Sequence, residues 1–552
     1  MMGSPPLRVF DSSVISRRGR DTSRPVMLVG FQNQGNLGIG YLAATLRQFG
    51  YTVWVFDFET DPQKILEAAT SSRPLLVGFS LIFQFYIHRF RSLMSFLREN
   101  GIDCHFTMGG HFPSLSYSQT LQLVPELDSV ARFEGELTLL ELADCLSRGE
   151  DWHAVDGLAY RRGSETISNP LRKLIEDLDR LPYPSRDFEP MSTLGHSIVP
   201  LLASRGCART CSFCSIQTFY RAAPGKIVRT RNPGRVVEEM AALHRERGIT
   251  IFLFQDDDFP LFGPVWRRWA AEFVNELHQS GLPGRAIWKM NCRADAVDKE
   301  LFLSLRDSGL YFVYMGLESG NDEGLRTLHK QITVEQNLRA VQVLKSIGLA
   351  FEYGFMLFDP SSTFDSVRAN LGFLRQIIGD GSTAATFCRM LPYDGTPIKE
   401  DLERTGRLRG NVCNPDYDFL DPKLNEFYEA LTRYINISGW IHGYEALSIQ
   451  LKWAWHEVAV IERLFPAIAE MPSYRGRLRE ITAASNVFLL HVVEDLSWSF
   501  SDGRFNPWSS AEVEAKRIQF LNDLLYERNV FVERNQATLQ EGLPTPYSKN
   551  AA

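Results

Sequence analysis

The sequence lacks what a membrane-spanning, secreted or nucleic-acid-binding chain needs. No uninterrupted apolar run reaches the roughly 18 residues that cross a bilayer. The opening stretch, MMGSPPLRVFDSSVISRRGRDTSRP, has no apolar core of a secretory signal. Neither charge sign dominates: 59 Lys and Arg stand against 66 Asp and Glu, a net of −7. That balance supplies no general attraction to nucleic acid or anionic membrane. Hydrophobic residues at 44% and charged residues at 23% are ordinary globular usage and exclude a disordered or fibrous chain. The expectation is a soluble cytoplasmic protein of several domains, with a loose tail at 1–24 and no membrane span.

Cysteine is scarce, with eight in 552 residues, and five of them are scattered. Cys104, Cys145, Cys292, Cys388 and Cys413 read as small buried hydrophobes. The other three crowd together as Cys207-x3-Cys211-x2-Cys214. A structural zinc site asks for four protein ligands, and neither a second cysteine pair nor a His-x3–5-His follows. Three thiolates suit three irons of a [4Fe–4S] cube, leaving the fourth iron free to bind a substrate or cofactor. A zinc knuckle and a loop of free thiols are the alternatives.

Apolar runs alternate with helical patterns over most of the chain. PVMLVGF (25–31), a Gly-rich turn (33–40), the amphipathic YLAATLRQFG (41–50) and YTVWVFDFE open a parallel, doubly wound α/β domain over 25–150. Ligands on such sheets sit at the carboxyl ends of strands. Asn36, Leu37, Gly38, Ser80, Gly109, Gly110, Glu134, Gly135 and Glu136 fall there. Their glycines suit close approach of a bulky ligand, or simple turn geometry. Residues 151–195, rich in Pro and charge, read as a connector. Six β/α steps follow over 196–400, enough for a partial (β/α)6 barrel. Its first strand (198–204) leads directly into the Cys loop, and helices are predicted near 233–248, 264–280, 298–308, 333–347 and 364–378. Polar residues finish the strands, where barrels hold their catalytic face. Residues 401–552 are predicted to be helical, with Leu424, Phe427 and Leu431, then Leu447, Leu451, Trp455 and Val458, at helical spacing. The closing EGLPTPYSKNAA is expected to be disordered.

GCARTCSFCS, with an aromatic residue before its third cysteine, resembles the radical S-adenosylmethionine (SAM) enzymes. MGLESGNDEGLRTLHKQITVEQ resembles their later barrel segment, and MLPYDGTPI the segment that closes the barrel in a large subgroup. NLGIGYLAATLRQFGYTV, VGFS, MGGH and FEGELTLLELADCL resemble the cobalamin-binding domain of one branch. The resemblance implies an α/β protein with a Rossmann-like cobalamin domain, a radical SAM barrel and a helical C-terminal domain related to substrate. It implies three cofactors: a [4Fe–4S] cluster, SAM and cobalamin. Cys207, Cys211 and Cys214 would ligate the cluster, and Phe213 would lie beside the adenine. Asp257 or Asp258 would hold the SAM amino group, Arg293 its carboxylate, and Glu318 and Ser319 the ribose or amino group. Read without the resemblance, Asp256–Asp258 could be a helix N-cap run, Arg293 a surface ion pair and Glu318 a helix cap. One departure stands out: DPSSTFD (359–365) replaces a Gly-Pro-Gly-Glu-Thr-like stretch, with Thr363 retaining a capping role.

The implied reaction is cobalamin-dependent radical methylation of a carbon centre in a natural-product, peptide or lipid pathway. Cyclisation, ring contraction or another rearrangement with the same cofactors is the alternative, as is non-radical methyl transfer. No Asp-x-His-x-x-Gly motif occurs in 25–150. His88, His105 and His111 therefore read as surface or packing residues, and cobalamin is expected base-off without a protein histidine. A sensor or a tRNA methylthiotransferase is disfavoured, since neither a DNA-reading helix-turn-helix nor a basic RNA-binding module is visible.

Two further expectations concern partners. Pro190–Val237 contains no Asp or Glu but seven basic residues: Arg205, Arg209, Arg221, Lys226, Arg229, Arg231 and Arg235. Such a patch could steer an acidic electron donor such as flavodoxin or ferredoxin, or serve the SAM carboxylate or the cobalamin phosphate. Trp440, His442, Tyr444, Trp453, Trp455 and His456 form either a wall of the pocket for a small-molecule or peptide substrate or ordinary helical core.

Overall fold

A computed structural model describes residues 21–32 and 35–539. Most of the tail expected at 1–24, Asn33 and Gln34 of the Gly-rich turn, and the closing EGLPTPYSKNAA lie outside the described residues.

The first sheet is built from β1 (Val26–Gly30), β2 (Val53–Asp57), β3 (Leu76–Ser80), β4 (His105–Gly109) and β5 (Ser129–Ala131), followed by a hairpin of β6 (Leu158–Arg162) and β7 (Glu165–Ser168). Its order is β2-β1-β3-β4-β5-β6-β7, parallel as far as β5. Every residue of β1 is buried, because helices cover both faces of a parallel sheet. The order switches direction between β1 and β3, where Gly30 pairs with Ser80, and this switch opens a crevice above the strand ends. Asn36 starts the helix Leu37–Gln48, its Oδ1 accepting from Ile39 N at 3.1 Å. The hairpin belongs to residues read as connector; it extends the first sheet by two antiparallel strands.

The second sheet runs β8 (Met191–Thr193), β9 (His196–Leu201), β12 (Ile251–Phe254), β13 (Ile287–Arg293), β14 (Leu310–Glu318), β15 (Ala350–Phe358) and β16 (Cys388–Arg389). β8 is antiparallel to β9; the other six strands are parallel and form an open half-barrel. A small antiparallel pair, β10 (Ser204–Arg205) with β11 (Arg229–Thr230), sits between β9 and β12 in sequence. Period-two burial separates the two faces. Trp288, Met290, Val313, Met315, Phe351 and Tyr353 are buried under the outer helices, whereas Lys289, Asn291, Tyr314, Glu352 and Gly354 are partly exposed on the inner face. Thr363 does cap the helix Phe364–Ile378, in a reciprocal box with Ser366.

Four long helices, Pro422–Tyr434, Leu447–Leu464, Met471–Asp502 and Ser510–Leu539, form the C-terminal part. They share one hydrophobic core with the barrel. Trp440 and Trp455 belong to that core and His456 is buried, while Tyr444 and Trp453 are exposed. Among the described residues, no helix is long and apolar enough to cross a membrane.

Candidate active site

The Cys loop leaves β10 and is tied down from three directions. Asp256, just beyond β12, accepts from Ala203 N at 3.1 and 3.2 Å and from Ser204 Oγ at 2.5 Å. Asp257 accepts from Gly206 N at 2.9 Å. Ser212 joins the other two motif segments: its N–H donates to Leu328 O at 3.0 Å and its carbonyl accepts from Ile398 N at 3.1 Å. The three stretches that carried the resemblance thus meet at one residue between Cys211 and Cys214.

These contacts settle the alternative readings of the polar residues. Asp256 and Asp257 do not cap a helix; the next helix starts at Pro264, and the two carboxylates hold the Cys loop. Arg293 is not at the surface. It is buried, donates to Asp295 at 3.1 Å and to Lys330 O, and lies 3.7 Å from Cys211 Sγ. Glu318 does not cap the following helix, a role taken by Asn321. It pairs with Lys330 at 2.9 Å and holds φ +66°, a left-handed strain of the kind that collects at functional sites. Ser319 is buried beside Asn370 and Asn321, and Phe213 is half-buried against the core. Burial pushes Asp256 up to about 7 and both Asp257 and Asp258 up to about 6. It also pushes the Cys207 thiol up to about 12 and Cys214 to about 11, so loading a metal there displaces protons.

Among the described residues, no three His, Cys, Asp or Glu side chains converge on a single metal ion. Three thiols spread around a loop, each able to meet its own iron, fit a cube better than a shared zinc.

A cavity of about 650 Å³ lies where the carboxyl ends of the first sheet face the half-barrel. Ser80, Gly109, Gly110, Glu134, Gly135, Glu136 and the Asn36–Gly38 turn line it from one side, and Arg205, Tyr220, Gln255 and Asp257 from the other. Its glycine-rich floor fits a broad, flat cofactor, although turn geometry alone requires Gly110: φ is +112°, and a Cβ would lie 2.2 Å from Leu81 O. Of the three histidines, His88 is exposed, His105 is buried against Ser129 Oγ at 2.8 Å, and His111 lines the cavity edge-on to Phe219. Burial pushes both His105 and His111 down to about 4.

The basic stretch needs correction. Arg205, Arg229 and Arg231 are buried, and they pair with Glu134, Glu136 and Glu239. Arg205 and Arg229 join the two domains under the cavity, Arg231 pairs within the barrel domain, and these three present no charge to an electron donor, whereas Arg221 and Lys226 are exposed. The sequence reading also missed Tyr220, Gln255 and Lys330. Lys330 had a signal, since it lies inside the quoted barrel segment; the other two come together only in the fold.

Residues 24–143 match the B12 binding domain and residues 201–372 the radical SAM superfamily. A B12-binding sheet set against a radical SAM half-barrel defines the cobalamin-dependent radical SAM enzymes. The chain belongs to that family. An uncharacterized methyltransferase of Pyrococcus horikoshii is 32% identical over 296 residues, covering 53% of this chain and 62% of that protein. The anaerobic magnesium-protoporphyrin IX monomethyl ester cyclase of Rubrivivax gelatinosus is 30% identical over 338 residues, 58% of each. The chain spans about six-tenths of the length of these curated relatives. The cobalamin-dependent SAM radical enzyme OxsB with aqua-cobalamin bound has the same fold, with TM-score 0.67 at 18% identity over 95% of this chain and 82% of that one.

Proposed function

We propose that this enzyme methylates a carbon centre of a small-molecule, peptide or lipid substrate in a cobalamin-dependent radical SAM reaction. The observation that carries the reading is the shared cavity: the strand ends of the B12 domain and the residues holding the Cys loop line one space. When bound, the cluster and SAM supply a 5′-deoxyadenosyl radical and cobalamin supplies a methyl carrier. Cys207, Cys211 and Cys214 hold the cluster in this reading. Asp257 or Asp258 takes the SAM amino group, Arg293 its carboxylate, Glu318 and Ser319 the ribose or amino group, and Phe213 flanks the adenine. Asn36, Leu37, Gly38, Ser80, Gly109, Gly110 and Gly135 seat the corrin. Glu134 and Glu136 keep the arginines beneath it in place. A reduced flavodoxin or ferredoxin serves as the electron source. The likeness to the Pyrococcus methyltransferase supports methyl transfer.

The likeness to the Rubrivivax cyclase favours a second reading, ring formation without methyl transfer. Anaerobic reconstitution with iron, sulfide and cobalamin separates the two. With candidate substrates, mass spectrometry is expected to find both S-adenosylhomocysteine and 5′-deoxyadenosine. Deoxyadenosine alone would support the cyclase-like reading, and S-adenosylhomocysteine alone a non-radical transfer.

A further inference from the structure

The inner face of the half-barrel carries charge that the cofactors do not use. Register aligns Lys289 with Phe312, and Asn291 with Tyr314, which in turn pairs with Glu352. All but Phe312 are partly exposed although they lie on central strands, so the lumen is hollow at this level. Lys289 Nζ stands 5.0 Å from the centre of the Phe312 ring and 4.0 Å from Glu352 Oε2, a loose pair.

A second cation enters from the C-terminal helix Leu447–Leu464. Ser448, Lys452 and His456 recur every four residues and so share one face of that helix. Ser448 Oγ donates to Ala385 O at 2.6 Å, and His456 Nε2 bonds the Tyr311 hydroxyl at 2.6 Å. With both neighbours anchored to the barrel, Lys452 between them is directed at it. Among the described residues it makes no hydrogen bond or ion pair. Burial pushes its ammonium below the ordinary value, and the field of Glu352 opposes that shift. The same burial, with Lys452 adding to it, lowers nearby His442, which therefore brings no further charge.

Two ammonium groups thus face one carboxylate in a half-buried space, leaving one positive charge uncompensated, an arrangement that an incoming anion completes. We propose that Lys289 and Lys452 form the anion-binding end of the substrate site, so that the substrate class carries a carboxylate or a phosphate. This rests on the reading of the barrel's catalytic face as the place of methyl transfer. Above the lysines, Gly316 and Gly354 pair on β14 and β15, and the space beside them is taken by Glu318, Lys330 and the Tyr314 hydroxyl, the last free to move into the lumen. Four residues of strand, about 13 Å, separate Lys289 from Arg293 at the catalytic end. The ligand runs along the barrel axis, its anionic group at the bottom and its reacting carbon at the top.

The test uses the full chain loaded with cobalamin and cluster, probed by ligand-observed NMR with acetate for the carboxylate source and methylphosphonate for the phosphate source. At least one probe is expected to bind in competition with chloride. Lys289→Met and Lys452→Met should each weaken that binding about tenfold, and Lys452→Arg should restore most of it. Cobalamin absorbance serves as the folding control. Absence of binding by both probes, or unchanged binding in the K289M/K452M double variant, overturns the proposal. The two readings fail separately: anion binding at the lysines without S-adenosylhomocysteine formation removes methyl transfer only, and methyl transfer without anion binding removes the lysine site only.

Discussion

Arg229 and Glu134 come from different domains and close on each other, the guanidinium Nη1 donating to both carboxylate oxygens at 2.8 and 2.9 Å with the arginine 1% exposed. Arg205 adds a bond to the same carboxylate at 3.2 Å and one to Glu136 at 2.7 Å. The network fixes the B12-binding sheet over the barrel. Removing one partner of a buried pair leaves an uncompensated charge, at a cost of about 3–5 kcal/mol. Glu134→Ala is expected to lower stability by that amount in chemical denaturation and to reduce retention of cobalamin. An unchanged denaturation midpoint would contradict the role assigned to the pair.

Replacing Cys207, Cys211 and Cys214 together by serine should abolish iron and sulfide binding while leaving far-ultraviolet circular dichroism and cobalamin binding intact. The loop is held chiefly by Asp256, Asp257 and Ser212, with Arg293 donating to Cys211 Sγ at 3.7 Å as a lesser contact that a serine oxygen can also accept, and the cavity lies beside it. Iron retained by the triple variant would remove the cluster assignment.

His456 should make stability fall in acid. Burial lowers its imidazole from 6.5 to about 3, so the folded state keeps it neutral while the unfolded chain protonates. The contribution is complete above pH 6.5 and is lost progressively as pH falls toward 3. At 1.36 kcal/mol per pH unit it amounts to about 2 kcal/mol by pH 5. Thermal melts from pH 7.5 to 5 should show this slope, and His456→Gln should flatten it.

Cobalt in the bound cobalamin is expected to lack a histidine ligand, even though His111 lines the cavity. Metal-bound histidines are usually oriented by a hydrogen bond from the second ring nitrogen. Among the described residues His111 makes none and instead packs edge-on against Phe219, centroids 4.6 Å apart. Electron paramagnetic resonance of the Co(II) form should show no nitrogen splitting, and His111→Ala should leave the spectrum unchanged.

Gly354→Ala should impair turnover more than folding. A Cβ there would lie 2.6 Å from the Tyr314 hydroxyl, which can swing into the open lumen. Catalytic efficiency is expected to drop at least tenfold, with the melting temperature within a few degrees of the parent. Equal losses in both would mean that the residue is merely structural.

Much of the barrel was legible because its signals are local. The helices expected at 264–280 and 364–378 have those bounds, since Pro264 and the Thr363 cap mark their starts within the sequence itself. The last of the six β/α steps, AATFCRMLP (384–392), is apolar enough for a whole strand but forms one only at Cys388–Arg389. Asn486, about a hundred residues later, accepts from Ala385 N at 2.7 Å and donates to Thr383 O, drawing that backbone away from β15. The basic stretch misled for a similar reason. A count along Pro190–Val237 stops two residues short of Glu239, the partner of Arg231, and cannot see Glu134 or Glu136, which neutralise Arg205 and Arg229 from the other domain.

The amino-acid sequence alone determined the cofactor chemistry: three cysteines within eight residues, and the strand-end turns of a doubly wound sheet, are short-range patterns that survive without knowledge of the fold. Only the tertiary structure decided what fills the barrel. Lys452 faces Lys289 from 163 positions away because Ser448 and His456 bolt its helix to Ala385 and Tyr311. Such a meeting depends on which face of a helix a distant packing contact selects, and no local periodicity encodes that choice.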